Sequence, residues 1–318
     1  MLVLVAPGQG SQAPGFLQPW LELPGVADRL GEWSDVVGLD LVRYGTEADA
    51  DEIRDTAVAQ PLLVAGALLS AGALFGADGV PAPADALGAI AGHSVGELPA
   101  AAISGVLSER EAMALVARRA TAMAKAAAVT ETGMSAVLGG EPAEVDARLA
   151  ELGLVAANNN GGGQLVAAGT TEQLAALAAD KPAGARVMPL KVAGAFHTAY
   201  MAPAVAEMEE AARDLTPGDP SVPFVSNADG AVVETGAEVL RRLVAQVSSP
   251  VRWDLCVDRF SALGITAMIE LLPGGTLASL ARRNLPGVAR VAIKRPDQLD
   301  AARTLIAEHA HQSPEPAE

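Results

Sequence analysis

A serine stands between two glycines in Gly92-His93-Ser94-Val95-Gly96, the G-x-S-x-G spacing of a nucleophile elbow. The glycines let the chain turn sharply without Cβ clashes. Ser94 then projects above a sheet with its Oγ at a helix N-terminus, and the Val95 amide, pointing the same way, can stabilise an oxyanion. A hydroxyl is a weak nucleophile and needs a base. There are four histidines. His309 and His311 lie in the polar C-terminal end, where solvation is expected. His93 adjoins Ser94, so its side chain is expected to point away from the site and to serve structurally or to support the site from behind. His197, in Gly194-Ala195-Phe196-His197-Thr198, is the general base by elimination, with an unrelated satisfied histidine as the plain alternative. Arg118 and Arg119 follow on a helix expected close behind the elbow. Adjacent helical positions face ~100° apart, so one of the two is expected to point inward. A surface ion pair is the usual fate of such an arginine; a buried one suits a substrate carboxylate through its bidentate fork. Gly8-Gln9-Gly10-Ser11-Gln12-Ala13 invites a dinucleotide-binding reading. That reading needs a second strand ending in an acidic residue ~20 positions on. Pro19 through Leu39 contains no convincing strand, which leaves a glycine turn or a loop whose N–H groups face an active site.

These groups need elements to position them. The first half alternates short apolar runs with helical patterns, the signature of an α/β fold. Leu2–Val5 reads as a buried parallel strand ended by Pro7-Gly8, and Ala86–Ala91 as a second apolar strand running into Gly92. Val95–Val106, apolar around Glu97, reads as a buried helix. Ser108 with Glu111 forms a capping box that starts the helix carrying Arg118, Arg119 and Met123. The texture then changes. Ser135–Leu138, Leu154–Asn158, Gln164–Ala168 and Ala185–Leu190 read as strands, with helices over Pro142–Leu152 and Thr171–Ala179 and a tight turn at Gly161-Gly162-Gly163. The order βαββαβ matches a ferredoxin-like unit. It is read as a small domain of residues 124–198 inserted in a large domain of 1–123 and 199–312. Pro223–Ser226 and Thr266–Leu271 are later strands of the main sheet, and 313–318 is a short disordered tail.

Composition sets outer bounds. The 318 residues suit one large domain or two at ~100–200 residues each. Half the residues are hydrophobic and 19% are charged, which excludes a disordered chain. Aromatics are only 3%, so Ala, Val and Leu must build the core. Net charge is −16, which disfavours nucleic acid as a partner. Cys256 is the single cysteine, so there is no intramolecular disulfide and no multi-cysteine zinc site, and a cytoplasmic location fits. The N-terminal apolar run lacks a basic flank and is too short for a signal peptide. From Thr56 to Ala77 no residue is charged, a length that could span a bilayer. Gln60-Pro61 interrupts its start, with Pro61 suited to the first helical turn, and no Lys or Arg anchors it. A buried helix is expected and no membrane partner.

Several motifs occur together and in order: Pro7-Gly8-Gln9-Gly10-Ser11-Gln12, Gly92-His93-Ser94-Val95-Gly96-Glu97, Gly194-Ala195-Phe196-His197, Gln246 with Pro250-Val251-Arg252-Trp253, and Glu270-Leu271-Leu272-Pro273-Gly274. The set resembles the malonyl-CoA:acyl carrier protein transacylases, the stand-alone malonyltransferases of bacterial fatty acid synthesis, over nearly the whole chain. The resemblance implies an α/β-hydrolase-like large domain with an inserted ferredoxin-like one. It implies Ser94 as acyl-accepting nucleophile with His197 its partner, and the backbone amides of Gln9 and Val95 as oxyanion hole. Arg119, with Met123 four residues on, matches the family arginine that holds the malonyl carboxylate. Asn160 and Gln164 match a loop lining the site, and Gln246 the residue whose main-chain carbonyl orients the histidine. Phe196 before His197 gives Ala-Phe-His, which in related domains accompanies malonyl rather than methylmalonyl selection. The family usually has Gly-Pro-Gly where this chain has Leu272-Pro273-Gly274. Malonyl-CoA and a phosphopantetheinylated, acidic acyl carrier protein are the implied partners, in fatty acid and possible polyketide synthesis, with ping-pong kinetics and no metal or redox cofactor. Against the acidic carrier, a local basic patch is expected from Lys181, Arg186, Lys191, Arg282 and Arg283. A serine esterase or thioesterase could use the same elbow, and a non-catalytic carrier-binding scaffold is a second rival.

Overall fold

A computed structural model describes residues 1–76 and 80–309. The expected tail at 313–318 and His311 lie outside the described residues. The chain forms a mixed α/β fold with two sheets. The first strand, β1 (Leu2–Ala6), is wholly buried, because helices cover both faces of its sheet. Its side chains alternate between two cores: Leu2 and Leu4 pack with the long helix Thr56–Phe75, Val3 and Val5 with Trp253, Cys256 and Phe260. β2 (Ala89–Gly92) lies parallel beside it, with Ala6 level with Gly92. β7 (Phe224–Val225), β8 (Val232–Val233), β10 (Ala267–Glu270) and β11 (Ala289–Ala292) complete a six-stranded sheet in the order β11-β10-β1-β2-β7-β8. All its pairs are parallel except β7 with β8. In an open parallel sheet, ligands sit beyond the carboxyl ends of the strands. The Gly8-Gln9-Gly10 loop and the Ser94 elbow leave β1 and β2 side by side at that edge.

The second sheet holds β3 (Thr132–Gly139), β4 (Val155–Asn159), β5 (Gln164–Thr170), β6 (Ala185–Pro189) and the two-residue β9 (Val251–Arg252), in the order β6-β3-β5-β4-β9. Helices Pro142–Leu152 and Thr171–Ala179 fall where the sequence pattern puts them and cover one face through Val145, Leu149, Leu174 and Leu177. The pairing of β9 with β4 has no counterpart in the sequence reading; two residues carry no period. It ties the second sheet to the segment after Gln246.

Three expectations are corrected. Val95–Val106 is not one helix: a 3-10 turn at Ser94–Gly96 precedes a helix over Glu97–Ile103, which Gly105 ends at φ +82°. The helix with Pro61 starts at Thr56, where Asp55 accepts the Ala57 N–H at 2.8 Å, so Pro61 lies inside it rather than in its first turn. β2 starts at Ala89, after a turn, rather than at Ala86. The Thr56–Phe75 helix is long and apolar enough to cross a membrane, yet 89% of its most apolar stretch is buried inside the protein. The capping box forms as read: Ser108 Oγ accepts the Glu111 N–H, and the Glu111 carboxylate accepts the Ser108 N–H. It starts the helix Glu109–Ala127. Val26–Val37 is helical, so the strand that a dinucleotide site needs is not there.

Candidate active site

The elbow exists because two glycines allow it. A Cβ on Gly92 would sit 2.0 Å from the Gly96 carbonyl carbon, and one on Gly96 would sit 2.2 Å from the Ala6 oxygen. Ser94 itself is held at φ +53°, a left-handed conformation that costs a non-glycine residue ~1–3 kcal/mol. His197, at φ +61°, is the only other such residue among those described. The two strained residues meet: Ser94 Oγ lies 2.7 Å from His197 Nε2. The opposite ring nitrogen, Nδ1, is 2.9 Å from the Gln246 main-chain oxygen. A carbonyl only accepts, so Nδ1 is assigned the proton and Nε2 keeps its lone pair toward the serine. His197 is buried, and burial, with the nearby Arg119 charge second, lowers its pKa to about 3. It is therefore a neutral acceptor at working pH.

Arg119 is 1% exposed, whereas Arg118 faces solvent. Its Nη1 donates to Gln60 Oε1 at 2.6 Å, and its Nη2 to Gln246 Oε1 at 2.7 Å and Ser94 Oγ at 3.2 Å. Burial lowers its pKa to about 10, with Glu97 acting in the opposite sense, so it remains a cation near neutral pH. Its Nε has no hydrogen-bond partner among the described residues. The geometry thus offers a hydroxyl nucleophile, a neutral base and a fixed buried cation within one cavity. Gln9, Val95, Met123 and Phe196 also line that cavity, and Met134, Asn158 and Val166 close it from the second sheet.

Not every expected residue reaches the cavity. Asn160 sits behind it, 2.9 Å from His93 Nε2 through its Oδ1, and Gln164 accepts from Arg283 Nη2 at 3.0 Å. The cavity-lining residue of that loop region is Asn158. Gln246 lies behind His197 and Arg119 rather than on the wall. His93, expected to point away, borders the cavity; Gly8, lacking a Cβ, leaves its ring room to pack there. The His93 ring packs tilted at 56° to that of Trp253, centroids 5.7 Å apart, and makes no bond to Ser94 Oγ. His309 donates to or accepts from Thr266 Oγ1 at 2.8 Å, far from the site in the fold. Sequence reasoning missed Gln60, Asn227 and the reach of Glu97. The signals were a lone glutamine in an uncharged helix and a lone glutamate in an apolar run. Among the described residues, no three His, Cys, Asp or Glu side chains group in a way that could hold a metal ion.

The acyl transferase domain family model matches residues 3–310. The chain belongs to the acyl transferase family. A relative from Mycobacterium tuberculosis, called malonyl CoA-acyl carrier protein transacylase, is 50% identical over 305 residues, covering 96% of this chain and 100% of that protein. One of the same name from Mycolicibacterium smegmatis is 51% identical over 289 residues, covering 90% and 98%. Among acyl transferase structures, the MCAT of Mycobacterium tuberculosis superposes with a TM-score of 0.89 at 48% identity, covering 95% of this chain and 99% of that one. A malonyl-transacylase in complex with its type II PKS acyl-carrier protein gives a TM-score of 0.87 at 31% identity, over 95% and 99%.

Proposed function

We infer that this acyl transferase moves malonyl from malonyl-CoA to the phosphopantetheine thiol of an acyl carrier protein. The chain is an [acyl-carrier-protein] S-malonyltransferase of the kind its relatives' names describe. The observation that carries the substrate assignment is the buried Arg119 guanidinium, 3.2 Å from the Ser94 hydroxyl. An acyl group ending in a carboxylate would find its counter-ion there, beside the carbon under attack. An esterase of neutral esters has no use for a buried cation at that position, so the hydrolytic reading is not favoured.

The steps follow from the side chains. His197 Nε2 takes the Ser94 proton as Oγ attacks the thioester carbonyl. The oxyanion is held by the Gln9 and Val95 amides; loss of one such donor typically costs ~10²–10³ in rate. The Gln246 carbonyl holds Nδ1–H and stabilises the imidazolium that forms. The tetrahedral intermediate collapses, CoA thiol leaves with the proton from His197, and a malonyl-serine ester remains. The carrier's thiol reverses the sequence, giving ping-pong kinetics. The scheme uses no cofactor. Met123 and Phe196 shape the acyl end, the ring of Phe196 filling the space an α-methyl would need. Asn160 and Gln164 act from behind the wall through His93 and Arg283.

The strand order β6-β3-β5-β4, with both helices on one face, supports a ferredoxin-like small domain of residues 124–198 set into an α/β-hydrolase-like large domain. A cytoplasmic location fits. The type II PKS acyl-carrier protein in the superposed complex supports service to polyketide synthesis alongside fatty acid synthesis. Intact-mass measurement after mixing with malonyl-CoA tests the core of the reading. Wild type is expected to gain one malonyl group on Ser94, and Ser94→Ala none while keeping its fold. Malonylation retained on another residue in that variant would remove Ser94 from its role.

A further inference from the structure

Glu97 is 1% exposed and touches none of the reacting atoms, yet it joins all three reactive groups. One carboxylate oxygen accepts the Asn227 N–H at 2.6 Å, and Asn227 Oδ1 in turn accepts the Ser94 N–H at 3.2 Å. The other oxygen accepts from Gln246 Nε2, which also donates to the Ser94 carbonyl at 3.0 Å. The far end of that amide, Oε1, receives Arg119 Nη2, and the main-chain oxygen of the same residue receives His197 Nδ1–H. Ser94, His197 and Arg119 therefore each lie one residue away from a single buried carboxylate.

A primary amide is nearly symmetric in shape and can turn either end outward. Burial raises the Glu97 pKa, but each of its two oxygens receives an N–H donor, from Asn227 and from Gln246, so here it acts as an acceptor. With Glu97 behind it, Gln246 must present Nε2–H to Glu97 and so Oε1 to the arginine. Turned over, it would set N–H groups against the guanidinium and an oxygen against the carboxylate. We propose that Glu97 is a positioning residue, which fixes the Gln246 amide so that Arg119 is aimed at the acyl carboxylate. The proposal rests on the malonyl reading above. It predicts a defect that depends on the acyl group, because acetyl has no carboxylate for Arg119 to meet. A residue that merely holds the fold would damage both substrates alike.

The experiment compares kcat/KM for acyl-serine formation from malonyl-CoA and acetyl-CoA in wild type, Glu97→Gln and Gln246→Leu. Glutamine at 97 keeps the size but has one acceptor for two N–H groups. Leucine at 246 severs the amide and keeps the main-chain carbonyl for His197, so it tests the same arm if Glu97→Gln does not fold. The malonyl-to-acetyl ratio is expected to fall about tenfold or more in either variant, the worth of one aligned bond to a charged group. A ratio that stays at the wild-type value in the folded variants, with both substrates weakened equally, would overturn the proposal. A wild type with no preference for malonyl would instead overturn the functional reading beneath it.

Discussion

Arg119 keeps its charge inside the protein, and in the proposed reaction its value depends on which acyl group arrives. Replacing it with alanine is expected to lower kcat/KM for malonyl-CoA by about 100-fold, as a bidentate charge-assisted pair is lost. Acetyl-CoA should be affected far less, and steady-state kinetics with both thioesters decide it; equal losses would deny the carboxylate role. The same residue sets a pH limb. Burial first, and Arg119 second, lower the His197 pKa from 6.5 to about 3. A base with a lowered pKa stays unprotonated as pH falls, so acylation by acetyl-CoA is expected to persist well below pH 6.5 in wild type. In Arg119→Ala the second of three lowering causes is gone, burial and His93 remaining, and the acid limb moves to higher pH. An unmoved limb in rapid-quench profiles would mean that the cation and the imidazole do not sense each other. At this scale the sequence was legible where chemistry is local. Ser94 and its glycines are contiguous, and only one histidine was left to serve it. Gln60, although a lone glutamine in an uncharged helix, and Asn227 were not, because their partners stand 59 and 133 residues away.

The elements matter here as guarantees of close approach. The turn Ser94–Gly96 runs so near β1 that a Cβ on Gly96 would lie 2.2 Å from the Ala6 oxygen and 2.9 Å from the Pro7 oxygen. Both are backbone atoms at the end of a central buried strand and cannot retreat. Gly96→Ala is therefore expected to lower stability by about 3 kcal/mol and to abolish acylation. Gly31 is the control: it sits in the exposed face of the helix Val26–Val37 with open space around its Cβ, so alanine there should stabilise by up to about 1 kcal/mol. Denaturant midpoints of the two variants test the contrast, and equal midpoints would refute the packing account. The strands and amphipathic helices of the second sheet were legible because their periods of two and 3.6 run long enough to read. Helix ends were less so. Asp55, rather than the proline, starts the Thr56–Phe75 helix, and Gly105 cuts short a run whose apolar residues continue past it. β9 could not be read at all, since its place comes only from its partner.

At the scale of the whole molecule, the question is how a chain at −16 would receive the acidic carrier protein that the family resemblance implies. Lys181, Arg186, Lys191, Arg282 and Arg283 are all exposed, and none is in an ion pair among the described residues. Most other surface arginines here are neutralised by a neighbouring carboxylate, as Arg241 and Arg242 are by Glu238. The second sheet's register shows how two of the free cations come together. Leu138 is level with Arg186 on one side and Gln164 on the other, so the three share a face, and Arg283 reaches that face through Gln164. Lys191 falls between Leu190 and Val192, both on the cavity wall. Strands lie ~4.8 Å apart, which puts Arg186 and Gln164 about 10 Å apart across the sheet. That spacing is on the order of the Debye length in ordinary salt, so the two arginines act on an approaching anion as one local field while the distant negative surface is screened. Arg186→Glu with Arg283→Glu is expected to slow transfer to the carrier protein by about tenfold and to flatten its dependence on salt. Transfer to a small, uncharged thiol such as N-acetylcysteamine separates the effects: it has no acidic surface to steer, so its rate should hold. A loss shared by both acceptors would place the damage in the cavity, and unchanged transfer to the carrier would mean that its acidic surface meets the enzyme elsewhere.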